Sequence, residues 1–218
     1  MPNANPTNSD YLSLINAAEQ AGDVTGWHAM SGVPHGEEIN PATGFGATAY
    51  VNDVTGQVVI AFIGPNTAPG LGSIAGQFHA SPGGTATDEM IANGLRPTQY
   101  ETDVKNFVQQ VLNTLSAQDP SADFSNVYVA GSSLGGYAAQ IAAMTFGLGG
   151  VNYGGPGVPL AAPSTAVDNF MNQIILGDPV ANGATDTGID WGSISVVGPH
   201  YGQVKFLGDQ ANQVKQRV

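Results

Sequence analysis

The residues best suited to chemistry in this chain are two adjacent serines bracketed by glycines, Gly131-Ser-Ser-Leu-Gly135. The spacing matches the G-x-S-x-G pattern, in which the middle serine occupies a sharp turn between a strand and a helix. Strand-forming residues precede it at 127–129, and small helix-forming residues follow it at 137–144. The pattern predicts that Ser133 is a nucleophile beside a helix N-terminus, which favours negative charge. The alternative is a glycine-rich turn with a surface serine.

A serine hydroxyl becomes a good nucleophile when an imidazole takes its proton and a carboxylate orients that imidazole. In hydrolases with this motif the three residues follow in the order Ser, Asp or Glu, His. His200 is the only histidine after Ser133, so chain order predicts it as the base. Asp178 is predicted as the acid because it follows an apolar strand at 174–176. The other aspartates in this interval, in a predicted helix or a polar loop, are Asp168, Asp186 and Asp190.

An oxyanion formed during acyl transfer needs two N–H donors. The first is predicted to be the backbone N–H of Leu134, directly after the nucleophile. The second should come from the loop after an earlier strand, at residues 64–67. Pro65 has no N–H, which leaves Gly64, Asn66 and Thr67, and of these Asn66 is favoured.

The hydrophobic pattern predicts one domain over residues 1–218, built from strands and helices that alternate. Such alternation predicts an α/β fold with a mostly parallel central sheet flanked by helices and a site at the carboxyl ends of the strands. The first helix is predicted with Asn8 or Ser9 as its N-cap, with Leu12, Ile15 and Ala18 on one face, and with its end at Gly22. Further helices are predicted over 98–115, where Thr98-Gln-Tyr-Glu101 has capping-box spacing, and over 164–171. Strands are predicted over 45–51 and 57–63, which form a hairpin, and over 127–129, 150–153, 173–176 and 193–197.

Two segments lie outside this alternation. Residues 1–44 are predicted as an N-terminal helix and loop. Residues 64–97 are rich in glycine and proline and follow the strand that should carry the oxyanion loop, so they are a candidate lid over the cleft, with His79 as a lid residue. The alternative is an ordered insertion packed away from the site.

Composition limits the partners. The chain has 5 basic and 17 acidic residues, for a net charge of −12, and it has no cysteine. Nucleic-acid binding is excluded on charge, and a neutral ester or lipid substrate is expected instead. No metal and no cofactor are expected, and no apolar run is long enough to form a transmembrane segment. The composition favours an extracellular protein without a leader, and the oligomeric state is left open.

Several motifs together resemble the class 3, or fungal-type, lipases. They are Val59–Gly64, the 98–115 helix, Val129–Gly136, Tyr153–Gly157, Gly177–Val180 and His200–Gly202. The resemblance implies an α/β-hydrolase that cleaves carboxylic esters, typically acylglycerols, with a lid over an apolar cleft. The family usually has histidine in place of Ser132 and arginine in place of Ile63. The short interval between Ser133 and His200 also fits an open, cutinase-like polyester hydrolase.

Two other classes compete with a serine lipase or esterase. One is a non-catalytic binding or adhesion module that kept the serine turn but lost the oxyanion site. The other is a metal-dependent hydrolase that uses His28, His35 and His79, although no H-E-x-x-H spacing supports it.

Overall fold

The computed structural model describes residues 5–20, 22–64, 82–159, 169–175, 178, 180–187 and 197–208. Within these ranges the α-helices are α1 (Asn8–Gln20), α2 (Pro82–Ala92), α3 (Thr98–Gln118) and α4 (Leu134–Phe146). The strands are β1 (Trp27–Ala29), β2 (Gly36–Asn40), β3 (Phe45–Asn52), β4 (Val58–Phe62), β5 (Val127–Ser132), β6 (Gly149–Tyr153), β7 (Phe170–Ile175) and β8 (Gln203–Leu207). The α/β class predicted from the sequence is confirmed.

The eight strands form one mixed sheet in the order β1-β3-β4-β5-β6-β7-β8, with β2 also paired to β3. The pairs from β4 to β8 are all parallel, whereas β1, β2 and β4 each lie antiparallel to β3. The sheet is therefore parallel over its larger part, as expected, with an antiparallel region at one side. Strand β5 lies in the middle of the order, so its carboxyl end has neighbours on both sides.

Both faces of the central strands are covered. Val58, Ile60 and Phe62 of β4 pack with α3 and α4 in one apolar cluster. The alternate residues Val59 and Ala61 pack against α1 in a second cluster. This alternation follows from the period of two along a strand. It explains why β4 is a continuous apolar run, since neither face meets water.

Helix α1 confirms the first predicted helix, with a different start. Asp10 N–H is bonded to Thr7 Oγ1 at 3.2 Å, and Thr7 N–H is bonded to Asp10 Oδ2 at 2.8 Å. This reciprocal pair is a capping box, so Thr7 rather than Asn8 or Ser9 caps the helix. Of the residues predicted on one face, Ile15 and Ala18 are buried, whereas Leu12 is 45% exposed.

Other predicted elements differ in detail. The hairpin of β3 and β4 and the strands β6 and β7 are confirmed. Strands β1, β2 and β8 were not predicted. The predicted strand at 193–197 lies outside the described residues except for Val197, which forms an isolated bridge with Ala184. Most of the predicted helix at 164–171 also lies outside them, and its last two residues belong to β7.

The predicted loop at 64–97 contains helix α2, and residues 65–81 lie outside the described part of the chain. Helix α2 is held to the β2–β3 turn by a hydrogen bond of 2.9 Å from Thr87 Oγ1 to the Thr43 carbonyl. None of the helices in the described ranges has the length and apolarity needed to cross a membrane.

Candidate active site

Ser133 lies at the turn between β5 and α4, at the carboxyl end of the sheet. Its backbone has φ 53° and ψ −123°, which is a rare conformation for a residue with a side chain. Such a conformation costs about 1–3 kcal/mol and persists only where the surrounding structure holds it. The sharp strand-to-helix turn predicted from the G-x-S-x-G spacing is therefore present.

The glycines of the motif have a steric reason. A methyl group on Gly131 would overlap the backbone carbonyl of Gly135. A methyl group on Gly135 would overlap the carbonyl of Phe62, at the end of β4. The first turn of α4 therefore approaches β4 and β5 as closely as backbone atoms allow. This close packing holds the backbone turn that carries the Ser133 side chain.

Two backbone N–H groups near Ser133 bear on the predicted oxyanion site. Leu134 is the first residue of α4 and follows Ser133, so its N–H has no acceptor within the helix. On the other side, a methyl group built on Gly64 would lie 3.9 Å from Ser133 Cβ. Gly64 N–H, however, is directed to Glu19 Oε1 at 3.5 Å. Asn66, the favoured second donor, lies outside the described residues.

His200 lies beside α4 and is only 2% exposed. Its Nε2 is 3.1 Å from the Gly155 carbonyl oxygen, and the next residue donates its N–H to Gln140 Oε1 in the middle of α4. Among the described residues, no hydrogen bond joins His200 to Ser133 or gives Ser133 Oγ another partner. The structure thus does not bring the predicted nucleophile and predicted base into contact.

The carboxylate beside His200 is Asp186 and not the predicted Asp178. Asp186 Oδ1 is 2.9 Å from His200 Nδ1, and Asp186 Oδ2 accepts the His200 backbone N–H at 3.0 Å. The prediction placed Asp186 in a polar loop. That loop lies next to the His200 segment because Thr185 N–H is bonded to the Val197 carbonyl at 3.1 Å.

Asp178 follows β7 at the carboxyl edge, where the sequence predicted it. Its Oδ1 accepts the N–H of Val180 at 2.9 Å, and its backbone carbonyl accepts the N–H of Asn182 at 2.9 Å. Asp178 is therefore bonded to the segment that leads into the short 3₁₀ turn at Ala181–Gly183, and Val180 is the N-cap of that turn. Its other oxygen lies 3.0 Å from a methyl group built on Gly154, which follows β6. Asp178 is thus at the edge that carries Ser133, but without His200 beside it.

A buried charged cluster joins α3 to the first turns of α4, which begins directly after Ser133. Glu101, only 3% exposed, accepts two hydrogen bonds from Arg96 at 2.7 and 2.6 Å and one from Tyr137 at 2.7 Å. Burial alone would raise the pKa of Glu101, but these hydrogen bonds outweigh burial and lower that pKa. The predicted capping box at Thr98 is not formed, because Pro97 precedes α3 without a side-chain cap and Glu101 faces Arg96 instead.

A second buried carboxyl group lies on α2. Asp88 Oδ2 is buried and has no hydrogen-bond partner among the described residues. Burial raises the pKa of Asp88 to about 7. Asp88 lies within electrostatic reach of Tyr100, whose hydroxyl donates to the Leu134 carbonyl at 3.5 Å. Burial is also the main reason that the pKa of Tyr100 is raised.

Over the described ranges, no three His, Asp or Glu side chains are grouped so that they could hold a metal ion. His28 is 2.6 Å from Asp53 in an exposed pair on the antiparallel side of the sheet. Of the other two candidate ligands, His35 is exposed, and His79 lies outside the described residues.

Comparisons with known proteins do not assign the chain to a family. No family model and no curated protein matches the chain. Among solved structures, one similar chain belongs to a fungal lipase–inhibitor complex that served as a model for interfacial activation in lipases. It has 19% identity and a TM-score of 0.42, over 65% of this chain and 56% of that chain. A likeness of this size does not place the chain in the class 3 lipase family, and that resemblance stays a prediction.

Proposed function

We propose that this protein is a serine hydrolase that cleaves carboxylic esters, with Ser133 as the nucleophile. The observation that carries the proposal is the strained backbone of Ser133 between β5 and α4. The strain has a cost, and such conformations concentrate at functional sites. The serine lies at the carboxyl edge of the parallel part of the sheet, beside the first N–H of a helix.

In the proposed reaction, Ser133 Oγ attacks the ester carbonyl carbon while its proton passes to a base. The tetrahedral oxyanion accepts a hydrogen bond from Leu134 N–H, the alcohol leaves, and an acyl group remains on Ser133. Water then attacks the acyl carbon, which releases the acid and returns the proton to the serine. The net charge of −12 favours neutral esters over anionic ones. Lipase, esterase and cutinase-like activities all fit this chemistry.

A fluorophosphonate probe tests the proposal, because it reacts with an activated serine and not with an ordinary hydroxyl. We expect the wild type to be labelled at Ser133 and Ser133→Ala to be unlabelled. Ser132→Ala is the matched control, since Ser132 ends β5 and precedes the strained residue. Labelling equal to wild type in Ser133→Ala, or none in the wild type, would contradict the proposal.

Two observations favour a second candidate, a non-catalytic binding module. Among the described residues no hydrogen bond joins an imidazole to Ser133, and Gly64 N–H is directed to Glu19 rather than to an oxyanion. A binding module would leave Ser133 unreactive to the probe and would hydrolyse no p-nitrophenyl ester of any chain length. Labelling at Ser133 together with turnover would exclude this candidate.

A further inference from the structure

Three amide side chains in the core of the protein are fully buried. They are Gln140 of α4, Asn152 of β6 and Asn172 of β7. Asn152 and Asn172 lie opposite each other in the register of the two strands. A buried amide costs free energy unless its oxygen and nitrogen find hydrogen-bond partners. Together the three amides bind two backbone segments, 155–156 and 201–203.

Backbone groups fix the orientation of the two asparagine amides. Asn172 Nδ2 lies 2.6 Å from the Tyr201 carbonyl and 3.0 Å from the Gln203 carbonyl, and a carbonyl can only accept. Asn172 Oδ1 therefore accepts the hydrogen bond of 3.0 Å from Asn152 Nδ2. Asn152 Oδ1 in turn accepts the N–H of Gly155 at 2.9 Å. The Asn152 amide is thus satisfied in one orientation, with its oxygen toward Gly155.

Gln140 extends the same network to α4. Its Oε1 accepts the N–H of Tyr201 at 2.9 Å, and its Nε2 donates to the Pro156 carbonyl at 2.8 Å. Tyr201 directly follows His200, the predicted base. The buried amides therefore join the segment after β6 to the segment that carries His200.

Asn152 also contacts the first turn of α4. A methyl group on Gly136 would overlap Asn152 Oδ1, so this glycine leaves the space that the amide fills. Gly155, which Asn152 binds, lies against the same turn, because a methyl group on Gly155 would be 2.7 Å from the Ser133 carbonyl oxygen. A shift of Gly155 would therefore be transmitted to the strained backbone of Ser133.

We propose that Asn152 is a positioning residue for Ser133. Its amide holds Gly155, and Gly155 holds the backbone from which Ser133 Oγ attacks the ester. The inference rests on the proposed function, because position is defined here relative to the Ser133 reaction. His200 stays the predicted base, and the network supports its segment through the backbone of Tyr201.

Asn152→Ala removes the amide and leaves the Gly155 N–H buried without its acceptor. We expect kcat to fall about 10²-fold while KM changes less than about 3-fold, as when a reacting group is displaced by about 1 Å. Val111→Ala is the matched control, because it also removes fully buried atoms, from α3. The control should lose stability in a urea titration but keep kcat within about 3-fold of the wild type.

Asn152→Asp tests the hydrogen bonds at nearly constant shape. Its carboxylate keeps the acceptor for the Gly155 N–H but places a second oxygen against Asn172 Oδ1. The protonated carboxyl donates to Asn172 and restores the pattern. The ratio of kcat in this variant to kcat in the wild type should therefore rise as the pH falls from about 8 to about 5. A ratio that stays low over this range would contradict the proposal.

Geometry is measured separately from activity. In ¹⁵N NMR spectra the backbone amide signals of Ser133 and Gly155 should move in Asn152→Ala and stay in place in Val111→Ala. If the wild type is neither labelled by the fluorophosphonate nor active, the proposed function fails, and these spectra alone decide whether Asn152 holds the turn. Should Asn152→Ala not fold, Asn152→Asp supplies both measurements. An unmoved Ser133 signal in the folded variant, or a kcat equal to that of Val111→Ala, overturns the proposal.

Discussion

Replacement of Asp88 by asparagine should stabilise the protein at neutral and alkaline pH. The pKa of Asp88 is raised from its ordinary value of 3.8 to about 7 because burial disfavours the charged form. The folded state therefore binds a proton at pH values where the unfolded state has lost it. The free energy of unfolding must fall as the pH rises from about 4 to about 7, and asparagine removes this loss.

The size of the effect follows from the same shift. The difference between the two pKa values corresponds to at most about 4 kcal/mol. Asp88 is only partly buried, so water reduces this cost, and we expect a gain of about 1–2 kcal/mol at pH 8. At about pH 3 and below the carboxyl is mostly protonated in both states, and the asparagine variant should differ least from the wild type.

Urea denaturation of both proteins at several pH values between about 3 and 8 measures this difference. Glu89→Gln is the matched control, because Glu89 is the next residue of α2, is exposed and carries the same charge. The control should show a small effect at every pH. A gain in Asp88→Asn that does not change with pH, or that equals the control, would refute the reasoning from burial.

Two further predictions concern the support of Ser133. Glu101→Gln should lower the free energy of unfolding at pH 7 by about 3 kcal/mol in a urea titration, because it leaves Arg96 without its buried carboxylate. Lys105→Gln removes only the half-exposed contact of 3.7 Å between Lys105 Nζ and Glu101 Oε2, so it should lower the free energy of unfolding by less than about 1 kcal/mol. Equal losses in the Glu101 and Lys105 variants would argue against a stabilising buried Arg96–Glu101 pair. Gly131→Ala should abolish fluorophosphonate labelling, because the added methyl group overlaps the Gly135 carbonyl. Gly147→Ala has open space around it at φ 70°, so it should keep labelling and lower the free energy of unfolding by about 1 kcal/mol. Similar labelling of the two variants would contradict the steric argument.

The sequence predicted the elements whose signal is local. The apolar runs of β4 and β5, the glycine pattern around Ser133 and the helical periodicity of α3 each lie within one short window. Strand β1 has three residues and β8 alternates weakly between exposed and half-buried positions. Such strands are stabilised by pairing with a neighbour that is distant in sequence, so a local pattern cannot reveal them.

The partner of His200 shows the same limit within the site. Chain order selects residues by sequence, but it does not state which end of a strand they occupy. His200 precedes β8, which runs parallel to β7, whereas Asp178 follows β7. Asp186 has no distinguishing signal in its own neighbourhood. Its contact with His200 depends on pairing between residues 184–185 and Val197, which only the folded chain shows.

The support of the strained serine comes from later in the chain than the motif itself. Ser133 N–H is bonded to the Tyr153 carbonyl at 3.1 Å, and Gly155 packs on the Ser133 carbonyl. A graft of residues 127–146 into another scaffold would therefore carry the motif without the contacts that hold its geometry. The portable unit is the β5–α4–β6 segment through Gly155, and a designer who transplants less should expect the serine to relax into an ordinary turn.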